Sequence, residues 1–155
     1  MKDWLLLKIP SLLNFFSLPV IDQQIILKAF LLLSIIRLGM WLLPFRTLQR
    51  ILARLFPNPV IATWQSLSPE KVQSAKKFSW AVRAVSQYVP AATCLAQALT
   101  LQALLAREGI LSDLAIGVAR GDESGIAAHA WLEIDGTVII GGEECDRYTR
   151  LKMLE

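Results

Sequence analysis

The sequence predicts an α+β domain: helices up to about residue 108, then a small antiparallel sheet. Three observations predict it. Apolar residues recur at helical spacing through the first two-thirds of the chain. From Leu111 onward the pattern shortens to strand-like runs, "LSDLAIGVAR", "AAHAWLEI" and "TVIIGG". Asp135-Gly136 separates the last two runs and is a strong two-residue hairpin signal. Helices followed by a run of strands give α+β rather than alternating α/β.

The chain has 155 residues, one domain's worth and enough for a real core. Its hydrophobic content of 54% and mean hydropathy of +0.47 are high for a soluble domain. A net charge of +3 is mild and does not argue for a nucleic-acid partner. Two cysteines, Cys94 and Cys145, cannot make a disulfide framework. The opening "MKDWLLLKIP" lacks the basic start, long apolar core and cleavage site of a signal peptide. A reducing cytosol and two free thiols are therefore expected.

The elements follow in order. Asp22 is a candidate cap for a helix starting at Gln23 and running to Pro44. That helix is greasy on most faces and nearly long enough to span a bilayer. Lys28, Ser34 and Arg37 interrupt it, so it is expected to be buried against partners, with peripheral membrane contact as the alternative. "PFRTLQRILARLFP" is a shorter helix. Leu48, Ile51, Leu52 and Leu55 form its apolar stripe, and Arg46, Arg50 and Arg54 a basic one. Ser68 caps the next helix, with Pro69 at its first position. Residues 94 to 108 form another, with Leu95, Ala98, Leu99, Leu101, Leu104 and Leu105 apolar and Gly109 as its C-cap. "GDESG" is expected to be a turn or mobile loop between strands. Residues 1–66 are thus expected to be an apolar helical region, and residues 67–155 the core that carries the chemistry.

Cys94 falls where the apolar helix pattern begins. Orphan backbone N–H groups and the positive end of the helix dipole favour thiolate there, and thiolate is the nucleophile. The small residues "AAT" before it leave access open. The one histidine, His129, lies 35 residues on and is the only imidazole base available. From these residues alone the commoner reading is that Cys94 is a small core residue and His129 a satisfied structural group. Cys94, His129 and Cys145 lack the close paired spacing of zinc sites, so no metal and no cofactor is expected.

"CLAQALTLQALLAREGI", then "IGVAR", then "AHAWLEIDGTVIIGGEE" with "RYTRL" beyond, resembles the transglutaminase-like leader peptidases of lasso-peptide biosynthesis, a branch of the papain-like cysteine hydrolases. The resemblance covers residues 68 to 151, and "LLPFRTLQRIL" adds to it. It implies a cysteine peptidase that removes the leader from a ribosomally made precursor. Its nucleophile, Cys94, opens a helix packed against a small antiparallel sheet, and its base, His129, lies on a strand. It also implies a small leader-binding protein and a macrolactam-forming cyclase as partners. Two other classes stay open: acyl transfer to an amine, as in transglutaminases, and a non-catalytic, membrane-associated binding subunit.

The chain departs from that family in one place. The usual third member is an aspartate about twelve residues after the histidine, where this chain has Gly141. A two-residue turn would pair His129 with Gly142. Asp135 shares His129's face but lies about 20 Å along the strand, and Glu133 is also distant. Glu144 would be a diagonal neighbour at about 7–8 Å. The orienting group is therefore Glu144, Asp135, a backbone carbonyl or a group from a partner protein. Trp131 shares His129's face and is either a cleft wall or plain core. Cys145, which opens no predicted helix, is expected to be structural.

Overall fold

The computed structural model describes residues 18–57, 68–120, 125–142 and 145–151. Among them the chain forms helices α1 (Val20–Leu42), α2 (Phe45–Leu55), α3 (Pro69–Ser86) and α4 (Cys94–Arg107). Strands β1 (Asp113–Arg120), β2 (Ile126–Ile134), β3 (Thr137–Ile140) and β4 (Thr149–Arg150) follow, with a 3₁₀ turn at Cys145–Arg147 before the last. The sheet is antiparallel in the order β3-β2-β1-β4, so the α+β expectation holds. The expected domain boundary at residues 66 and 67 lies outside the described residues.

Local chemistry sets most of the helix ends. Ser68 Oγ accepts the Lys71 N–H at 3.4 Å, and Pro69 opens α3. Gly109, at φ +66°, closes α4, and the Ile110 N–H reaches back to the Leu105 carbonyl. One expected cap is corrected. Helix α1 starts at Val20, because the Pro19 carbonyl accepts the N–H groups of both Asp22 and Gln23. Asp22 therefore sits inside the first turn, and its carboxylate pairs with Lys77 of α3 at 3.2 Å.

The core joins all four helices to the sheet. One cluster holds Ala29, Leu33 and Ile36 of α1, Leu48 of α2, Val82 and Val85 of α3, Leu101 and Leu105 of α4, and Leu132, Ile134 and Ile140 of the sheet. Helix α4 is buried over most of its surface. Ser79 Oγ donates to the Ile139 carbonyl at 2.8 Å and ties α3 to the edge strand. Helix α1 is less covered than the sequence suggests. Leu27, Leu31, Ile35, Leu38, Trp41 and Leu42 stand exposed along it, because only one side meets α3 and α4. The α2 stripe also splits: Leu48 is buried, Leu52 is half-buried, and Ile51 and Leu55 are exposed. By length and composition α1 could cross a membrane, with a mean hydropathy of 2.0 over its best 18-residue window.

Candidate active site

Cys94 is the first residue of α4. Thr93 caps the helix in extended backbone (φ −71°, ψ 162°), and its Oγ1 accepts the Ala96 N–H at 3.3 Å. The first helical bond runs from the Gln97 N–H to the Thr93 carbonyl. The N–H groups of Cys94 and Leu95 thus have no acceptor within the helix and are available at its positive end. The chain reaches this point through a tight turn in which Ala91 takes a left-handed φ of +54°. Such backbone costs an L-residue about 1–2 kcal/mol. Gln97 folds back so that its Nε2 donates to the Ala92 carbonyl at 3.2 Å, bracing that turn. The Cys94 thiol is free and half-buried.

His129 lies on β2, opposite Gly117 of β1. A Cβ on Gly117 would fall 2.8 Å from Tyr148 Cβ and 2.9 Å from the Trp131 ring. The missing side chain therefore makes room for two aromatic residues. Both flank the imidazole, Tyr148 with ring centroids 5.1 Å apart and Trp131 with 6.2 Å. Trp131 is itself pinned: its Nε1 donates to Glu133 Oε1 at 2.7 Å, and Arg150 of β4 holds Glu133 Oε2 at 2.9 Å. His129 Nε2 lies 2.7 Å from the Gly141 carbonyl oxygen.

One open cleft brings these parts together. Cys94 and Gln97 of α4, His129 of β2, Gly141 after β3, and Arg83, Ser86 and Gln87 at the end of α3 all line it. The two residues singled out from the sequence thus face a common space. Among the described residues the other candidates do not join them. Asp135 occupies the hairpin turn at the end of β2, at φ +50° followed by Gly136 at +71°, and is not in the cleft wall. Glu133 is engaged by Trp131 and Arg150. Glu144 lies outside the described residues. Cys145 opens the 3₁₀ turn, where no helix was expected, and its Sγ lies 3.4 Å from the Gly142 carbonyl.

The expected pairing of His129 with Gly142 is also corrected. Ile134 pairs with Thr137 as the turn requires, but the register slips between Leu132 and Glu133, so Leu132 meets Ile140 instead of Ile139. The sequence reading missed Tyr148, Gly117 and the α3 residues of the cleft wall. Gly117 carried a usable signal: a glycine inside a strand marks a close approach. Trp131 turns out to be 4% exposed and stacked beside His129, so it is core that also shapes the site.

A sequence model described as the transglutaminase-like superfamily matches residues 39–153, from the end of α1 through β4. No match was found among curated proteins or among solved structures. The match takes in every element that lines the cleft and spans about three-quarters of the chain, and on that basis the chain belongs to the transglutaminase-like superfamily.

Proposed function

We propose that this chain is a cysteine peptidase that removes the leader from a lasso-peptide precursor, with Cys94 as nucleophile and His129 as general acid and base. The observation that carries the reading is the shared cleft. In a chain of this superfamily, the helix-opening thiol and the only imidazole line the same space. Cys94 Sγ attacks the carbonyl carbon at the leader–core junction while His129 takes the thiol proton. The tetrahedral oxyanion accepts from the Cys94 N–H, which has no partner within α4. Collapse expels the amine, which takes the proton from His129, and leaves a thioester on Cys94. Water then adds to the thioester carbonyl, gives up a proton through His129, and releases a carboxylate and the free thiol. Gln97 is less suited to hold the oxyanion, because its amide already donates to Ala92.

A small leader-binding protein fits the exposed α1 stripe that includes Leu31, Ile35, Leu38 and Trp41, since surplus apolar surface marks interfaces. The cyclase would act on the freed core peptide. Lys28 and Arg37 in α1 each cost a few kcal/mol near a bilayer centre, which favours docking over spanning. The test is incubation of the chain and a leader-binding protein with a candidate precursor, followed by mass spectrometry. Two fragments whose masses sum to the precursor plus one water support hydrolysis. An amine-linked product points to acyl transfer. An intact precursor that is nonetheless bound points to a non-catalytic subunit.

A further inference from the structure

A histidine that serves as base must present an unprotonated nitrogen to the thiol, and its other nitrogen has to be fixed to set tautomer and ring angle. In this chain the fixing contact is His129 Nε2 to the Gly141 carbonyl oxygen, at 2.7 Å. A carbonyl only accepts, so Nε2 carries a proton, and in the neutral imidazole Nδ1 keeps the lone pair.

Three features aim that carbonyl. Gly141 has φ +80°, a left-handed conformation that L side chains rarely adopt. A Cβ there would fall 2.7 Å from the Ala130 carbonyl oxygen and 3.1 Å from Trp131 Cα, so space excludes a side chain as well. The register slip at Leu132 and Glu133 shifts the chain after Ile139 by one position against β2, and β3 ends at Ile140. That end of the ladder leaves the Gly141 carbonyl outside strand pairing. Among the described residues no carboxylate takes this place, since Glu133 is engaged and Asp135 is in the turn.

We propose that the main-chain carbonyl of Gly141, held by that glycine's left-handed backbone, is the group that orients His129, taking the part an aspartate side chain plays in the leader peptidases this chain resembles. Gly141 is thus a positioning residue. Its action on activity rests on the reading of His129 as base, but the contact itself does not.

The experiment is 15N NMR of the full chain with labelled histidine. With a single histidine the imidazole spectrum reports one residue. The neutral imidazole of the wild type should be the Nε2-protonated tautomer. Gly141→Ala should lose that preference and become a tautomer mixture, and cleavage should fall about 100-fold in kcat with little change in KM, as misplacement of a catalytic group by about 1 Å does. A wild-type neutral imidazole that carries its proton on Nδ1, with Nε2 bare, overturns the proposal, even if Gly141→Ala does not fold. So does a tautomer change in Glu144→Gln with Gly141→Ala unaltered. If His129→Ala keeps full cleavage, the functional reading fails while the spectrum still decides the contact.

Discussion

Gly117→Ala places one methyl group where the structure has no space for it. The new Cβ would lie 2.8 Å from Tyr148 Cβ and 2.9 Å from two atoms of the Trp131 ring. Neither neighbour is a loose chain end. Trp131 is 4% exposed and tied to Glu133, and the Tyr148 contact is at Cβ, close to the backbone. Strand backbone at Gly117 is compatible with alanine, so the whole effect comes from crowding. Overpacking of this kind costs about 1–3 kcal/mol. At about 2–4 °C per kcal/mol for a chain of this size, Tm should fall by roughly 2–12 °C in a circular dichroism melt. The displaced rings are the two that flank His129, so the imidazole 15N signals should shift as well. An alanine variant whose Tm moves by less than about 1 °C, with unchanged imidazole signals, would show that Gly117 does not seat the aromatic residues around His129.

Cys94→Ala should abolish precursor cleavage without unfolding the chain, whereas Cys145→Ala, which changes a thiol outside the cleft wall, should retain it; loss of cleavage in a folded Cys145→Ala would mean the nucleophile was misassigned. Thr93→Ala removes the α4 cap and should cost about 1 kcal/mol, read as a drop of roughly 2–4 °C in Tm; an unchanged melt would show that Thr93 Oγ1 does not cap the helix. Replacing Leu38 and Trp41, 54% and 76% exposed, by serine should leave unfolding free energy within about 0.5 kcal/mol and reduce self-association in sedimentation velocity. Unfolding of that variant would mean these side chains are packed.

Much of this fold is legible because local chemistry writes it. Ser68-Pro69 starts a helix, Gly109 ends one, and Asp135-Gly136 turns a hairpin, each through a backbone preference that neighbouring residues carry. Cys94 and His129 stand out for a related reason, a thiol at a helix start and a lone imidazole on a strand. What stays hidden depends on contacts between distant segments. The slip opposite Leu132 reflects how β3 packs and has no marker in "TVIIGG". Strand β4 is two residues long, too short to show any period. A main-chain carbonyl such as that of Gly141 has no residue type to betray it, so a search for acidic side chains passes over it. Asp22 misled for a simpler reason. Its residue type suits a cap, but Pro19, three positions earlier, already supplies the carbonyl that starts α1.

If Cys94 and His129 act as a pair, site-resolved alkylation shows it without a substrate. Limiting iodoacetamide is added to the folded wild type and to His129→Ala, and peptide mapping reads the labelling rates of Cys94 and Cys145 separately. Both thiols are free and half-buried, so burial alone predicts similar rates. Cys94 should react faster than Cys145 in the wild type and lose most of that advantage in His129→Ala, keeping only the share due to the helix end, while Cys145 is unchanged. Equal rates in the wild type, or a Cys94 rate indifferent to His129, would contradict the pairing.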